Sequence, residues 1–147
     1  MRCLGLCNNN RITKEGYPLT QDEANNCGQK IWEKLVSQVP NIRLVLCGHH
    51  AHGLDKDGND QFEGAIGWRS DANNEGRTVH QMLFDTQTLG GGWEGNGGDG
   101  WIRILEFMPD GKTVHVKTYS PLFGISPVTK HLARRTDANN DFKFVID

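Results

Sequence analysis

The sequence predicts an α+β fold, mostly antiparallel strands with one main helix on the outside, and three observations carry that expectation. A single helical apolar stripe sits near the N-terminus, strand-like runs follow it, and Pro109-Asp110-Gly111 separates two of those runs as a hairpin turn. A helix followed by several strands is the order of a sheet-on-sheet sandwich with helices outside.

Taking the elements in order, Thr20-Gln21-Asp22-Glu23 has the spacing of a capping box. There the Thr hydroxyl and the Glu carboxylate satisfy backbone donors that a helix start leaves open, so the helix is expected to begin at this point. Ala24, Cys27, Ile31 and Leu35 fall on one face with Gly28, Trp32 and Val36 beside them, and Pro40 is its expected end. Ile42 to Cys47 is a nearly continuous apolar run, expected as a strand buried on both faces, and it stops at Gly48-His49. Leu54 to Gly76 is polar and rich in turn formers and reads as a long excursion, after which Thr78 to Phe84 alternates like a strand. Leu89 to Gly100 holds seven glycines and reads as a tight loop. Trp101 to Phe107 and Thr113 to Tyr119 flank the hairpin turn, and Phe142 to Ile146 is the expected last strand. Arg69-Ser70-Asp71-Ala72-Asn73-Asn74 is echoed by Arg135-Thr136-Asp137-Ala138-Asn139-Asn140. One recurrence indicates shared turn chemistry and not a repeat architecture.

A chain of 147 residues buries roughly 70% of its unfolded surface, enough for one domain spanning 1–147. Hydrophobic residues make up only 36% and glycines number 18, so the scaffold should be loop-rich. The 16 basic and 18 acidic residues are mixed along the chain and sum to −2, with no basic block to neutralise a row of phosphates, so no nucleic-acid partner is expected. No run approaches the ~18 apolar residues of a membrane span, so no membrane partner is expected either. The opening MRCLGLCNNN is too short and soon too polar for a secretory signal, and the sequence names no compartment. Cys3, Cys7, Cys27 and Cys47 match neither zinc-finger spacing nor a small disulfide scaffold and are read as free or incidental thiols.

Chemistry concentrates in Gly48-His49-His50-Ala51-His52-Gly53, where three imidazoles follow directly on an expected strand. Rigid backbone there can hold metal ligands; spacing alone leaves a metal site and a plain polar loop both open. Asp99 and Arg103, near the glycine-rich loop, are candidate substrate contacts, with Arg103 expected to face solvent on its strand. Asp55 to Asp60 begins like a calcium-binding loop, but Asp60 and Ile66 stand where that loop needs Gly and Glu, so it reads as a solvated turn. His80 and His115 alternate with apolar neighbours and read as hydrogen-bonded strand histidines. Trp68, Trp93 and Trp101 are candidates for a ligand groove or for the core.

The block Asn41-Ile42-Arg43-Leu44-Val45-Leu46-Cys47-Gly48-His49 resembles the strand and Gly-His segment that closes the metal site of calcineurin-like metallophosphoesterases. Gly76 to Phe84, Gln87, Gly95 to Leu105, Thr118-Tyr119-Ser120-Pro121 and the helix with Ile31 to Leu35 are similar in order and spacing to a bacterial branch of that family. The resemblance covers residues 10 to 147 and implies a partial metallophosphoesterase β-sandwich, the C-terminal segment of such a domain. It further implies a dinuclear centre of Fe, Zn or Mn, divalent or trivalent, that polarises a phosphoester and supplies a bridging hydroxide. His49 would be a ligand, with His52 a candidate for the second and His50 a possible addition. The family closes with Gly-His-x-His, whereas Ala51 stands at the second histidine position here. Its earlier carboxylate-bearing blocks are absent before Gly48, and a dinuclear site needs such carboxylates. The expectation is therefore a phosphoester hydrolase site completed in an intact parent protein, with weak metal binding and self-association, or pairing with an N-terminal half, for this segment alone. The competing class is a non-catalytic β-rich module that binds carbohydrate or protein.

Overall fold

A computed structural model of the protein describes residues 6–7, 11–12, 28–48, 66–87, 89 and 98–146. The chain divides into two compact units, residues 1–53 with 61–85 and residues 54–60 with 86–147. The architecture is mixed α+β with mostly antiparallel strands and one main helix.

In the first unit, β1 (Leu6–Cys7) pairs antiparallel with β2 (Arg11–Ile12). The described helix is α1 (Gly28–Ile31), which runs into a π-wound turn over Trp32–Val36, closed by Ser37 N donating to Trp32 O at 2.9 Å. The capping-box segment from Thr20 lies outside the described residues. Helix burial departs from the expected stripe: Trp32 and Val36 are buried while Leu35 is half exposed. A π turn carries more residues per revolution than an α turn, so the inward face advances along the sequence and Leu35 rotates out. Trp32 and Val36 pack on Val79, with Ile31, Ile42 and Val45 around them. Each such buried apolar side chain contributes on the order of 1.5–3 kcal/mol.

β3 (Leu44–Cys47), β4 (Ile66–Ala72) and β5 (Thr78–Phe84) form a sheet in the order β3-β5-β4, with β5 central. β3 is parallel to β5, Leu44 opposite His80, and β4 is antiparallel to it, Ser70 opposite His80. Two expectations are corrected here. β3 is not buried on both faces, since Leu46 is 54% exposed; among the described residues β3 is an edge strand, and the two-sided burial belongs to β5. The stretch read as a polar excursion contains β4, where Ser70 and Asp71 pair with His80 and Gln81 of β5 and Arg69 pairs with Asp71. Residues 73–77 turn β4 into β5: Asn73 Oδ1 accepts from Glu75 N at 3.0 Å and Arg77 N at 2.9 Å, and Gly76 takes φ +78°.

In the second unit, β6 (Ile102–Phe107) and β7 (Thr113–Tyr119) form the expected hairpin. Asp110 closes it by accepting from Lys112 N and Thr113 N at 2.9 and 2.8 Å, with Gly111 at φ +70°. α2 (Pro121–Ile125) follows, capped by Ser120, whose hydroxyl accepts from Phe123 N at 3.2 Å. A 3-10 turn at Lys130–Leu132 leads to β8 (Arg134–Arg135), and β9 (Asp141–Val145) is the last strand. Both pair antiparallel with β7. Val114, Val116, Thr118 and Phe144 are buried on one face of this sheet, while Thr113, His115, Lys117 and Lys143 line the other.

Candidate functional site

β3 and β5 run parallel and end side by side, Cys47 opposite Leu83. Gly48 follows β3, and a Cβ added there would lie 3.4 Å from the Phe84 carbonyl oxygen, an ordinary contact. The chain then continues to the histidine block, but His49, His50 and His52 lie outside the described residues, as do the Asp55 to Asp60 turn and Trp93. On the neighbouring strand the residue directly after β5 is Asp85, a buried carboxylate that the sequence reading did not single out. In sequence it is only the first residue after an alternating strand; the parallel pairing of β3 and β5 puts it at the carboxyl end where such sheets present ligand-binding groups.

Cys47 corrects another expectation, because it is disulfide-bonded and not a free thiol. Its Sγ lies 3.3 Å from Met82 O; with the sulfur committed to a disulfide there is no thiol proton to donate, so this is a close contact and not a hydrogen bond. Spacing along the chain does not reveal which thiols the fold brings together.

Behind the strand ends, the helix-covered face holds a polar cluster. Asp71 accepts from Arg69 through both Nε and Nη2, and from Gln81 Nε2 at 2.6 Å. Gln81 is 1% exposed, so its amide depends on this carboxylate for what water cannot supply. On the opposite face Ser70 Oγ and His80 Nδ1 meet at 2.8 Å, and Trp68 stacks on the His80 ring with centroids 5.1 Å apart. His80 is thus a hydrogen-bonded strand histidine, as expected. His115 is held on its strand by Asp141.

In the second unit, Asp99 sits in a 3-10 turn, Gly98–Gly100, at φ +55°. Its carbonyl accepts from Ser120 Oγ at 2.5 Å, and a Cβ on Gly98 would run into the Thr86 carbonyl, so this end of the glycine-rich loop is fixed in place. Arg103 does not face solvent. Its Nη2 donates to Asn140 Oδ1 at 2.8 Å and Asn139 O at 3.0 Å, and the guanidinium also reaches Thr118 Oγ1 at 3.3 Å. Burial pushes Arg103 down to about 10, with the Asp137 charge acting the other way. Its register opposite Thr118, on the buried face of β7, is why it turns inward. Trp101 packs edge-on against Phe123, with centroids 5.6 Å apart.

Among the described residues no three His, Cys, Asp or Glu side chains assemble into a group that could hold a metal ion. No described helix is long and apolar enough to cross a membrane.

The chain is 37% identical over 105 residues to the uncharacterized protein YvnB of Bacillus subtilis (strain 168). That alignment covers 71% of this chain but 7% of the relative, so the chain spans a small part of the protein it matches. No protein-family model matches the chain. No solved structure matches it either.

Proposed function

We propose that this chain supplies part of a metal-dependent phosphoester hydrolase site, completed within a longer protein, with His49 and His52 as metal ligands. The observation that carries the reading is the placement of Gly48, at the carboxyl end of β3 beside the end of a parallel neighbour. A histidine that follows such a strand end would start from fixed backbone, at the edge where sheets with parallel strands bind ligands. The resemblance of the β3 and Gly-His segment to calcineurin-like metallophosphoesterases gives the chemistry. Two cations would share the charge of the attacking and leaving oxygens and make bound water nucleophilic near neutral pH. The carboxylates such a centre needs come in this reading largely from outside the chain, since metal sites of this kind balance imidazole with carboxylate. Arg103, committed to Asn140 and Asn139, serves as a clamp and not as a substrate contact.

The test is Mn-dependent hydrolysis of an aryl phosphate by this segment alone and within a longer chain that supplies an N-terminal half. Activity is expected only in the longer chain, and His49→Ala should abolish it while leaving the far-ultraviolet circular dichroism unchanged. A longer chain inert toward several phosphoesters, or fully active as His49→Ala, would sink the proposal.

A further inference from the structure

The second unit carries an exposed apolar segment that the proposed chemistry does not use. Between Ser120 and Arg134, Leu122 and Leu132 are 48% and 50% exposed, and Ile125 and Val128 are 82% and 79% exposed. The segment is built and not slack. Ser120 caps it, Thr129 Oγ1 donates to Phe123 O at 2.9 Å, Lys130 N donates to Ser126 O at 2.9 Å, and Ser120 N donates to Ala133 O at 2.8 Å. Phe123 turns inward onto Trp101, and Ala133 is buried. The four aliphatic tips are therefore held outward by a firm base. Four exposed aliphatic side chains within one short, ordered segment are the kind of apolar exposure that marks a contact surface.

The charged side chains within the segment itself, Lys130 and Arg134, are both basic. From Gly111 to Thr136 the sequence contains no Asp or Glu, although the whole chain is net negative. Lys130, His131 and Arg134 are all exposed next to the aliphatic tips, and Arg134 rests over the Tyr119 ring at 5.4 Å. The Asp99 backbone carbonyl meets the segment at its N-terminal end, accepting from Ser120 Oγ.

We propose that the Leu122, Ile125, Val128 and Leu132 tips with Lys130 and Arg134 form a docking surface for an anionic lipid bilayer. Aliphatic tips would enter the headgroup boundary while the cations meet lipid phosphates and carboxylates. That no described helix is long and apolar enough to cross a membrane bears on helical crossing, not on resting at a bilayer surface. Protruding tips suit a deformable surface, whereas a stable protein interface buries roughly 800 Å² per partner, more than four aliphatic tips provide. Binding is expected to be weak and reversible, because a few inserted aliphatic groups fall short of stable anchoring.

Vesicle flotation tests this, with phosphatidylcholine vesicles prepared with and without phosphatidylserine. The intact chain should float with the anionic vesicles and not with the neutral ones, and added salt should weaken the association. Ile125→Ser with Val128→Ser should abolish flotation, and Lys130→Ala should weaken it roughly fivefold. These side chains are exposed, so circular dichroism should be unchanged; if the double serine variant misfolds, Lys130→Ala and Arg134→Ala carry the test. Binding to neither vesicle, equal binding to both, or binding indifferent to all the variants would overturn the proposal.

Discussion

The segments Arg69 to Asn74 and Arg135 to Asn140 share five of six residues and put them to different uses. In the first, β4 continues through Ala72, so Arg69 and Asp71 lie on the same face of a strand. Their ion pair sits under the helix, where Gln81 of the neighbouring strand completes it. In the second, β8 ends at Arg135, and the matching Arg135 and Asp137 pair, at 3.2 Å, is the more exposed of the two. Asp137 instead turns back to accept from Asn140 Nδ2 at 2.9 Å, and the buried amide of Asn140 holds Arg103. The same side chains become a buried strand pair or an exposed turn according to where the strand stops and which residue stands opposite. Local sequence sets the turn chemistry, and register decides which group is buried.

The strongest attack on this contrast is Asn140→Leu. Asn140 is 1% exposed, and losing its carbonyl leaves the Arg103 guanidinium short of a partner. The expected cost is about 2–3 kcal/mol in urea unfolding. Adding Arg103→Met should recover most of the loss, because replacing both polar partners by apolar groups removes the stranded charge. A double variant as unstable as the single one would show that Asn140 acts through its bonds to Asp137 or its shape and not through Arg103.

Next in size is Gln81→Leu, the corresponding change in the first unit. It removes one donor to Asp71 but leaves both Arg69 bonds. The expected loss is about 1–2 kcal/mol, and thermal melts of wild type and variant would measure it.

A finer comparison sets Arg69→Ala against Arg135→Ala. The first strips a partly buried carboxylate and should cost about 1–2 kcal/mol, while the second removes a solvent-screened pair and should cost less than about 0.5 kcal/mol. Equal losses would mean that burial does not separate the two segments.

Acid should produce the smallest effect, and it should fall on the second unit. Asp137 is held below its ordinary value: burial works against this, but hydrogen bonds from Asn140 and Arg135 outweigh it. Asp110, in the β6-β7 turn, is drawn down to about 2 by hydrogen bonds from the Thr113 side chain and amide and from the Lys112 amide. A folded value below the unfolded one stabilises the native state above the unfolded carboxylate range, near pH 4, and the contribution disappears as pH falls through the folded value. Stability followed by tryptophan fluorescence should therefore decline between about pH 4 and 2, and Asp110→Ala should flatten part of that decline.

How much of this was legible in the sequence differs between the units for the same reason. β5, β6, β7 and their turn were readable because alternation and Pro-Asp-Gly are local signals. β4 was hidden because its Arg69, Ser70 and Asp71 make sense only beside His80 and Gln81. The buried helix face was misplaced because nothing in the apolar spacing marks a π-wound turn. Arg103 was misjudged because its burial depends on Asn140, far along the chain. Of the candidate site, the strand end at Gly48 was foreseen, whereas Asp85 beside it required knowing that β3 and β5 are parallel.

That parallel pairing also sets an order of events. β6 and β7 close across a five-residue turn, whereas Leu44 must find His80 across a much longer stretch of chain. Short closures form early, and distant pairings wait until the entropy of the intervening loop has been overcome. In a refolding reaction pulsed with deuterium, the amides of Thr113 to Tyr119 should become protected before those of Leu44 to Cys47. The strand that leads into the histidine block would then be among the last parts of the molecule to assemble.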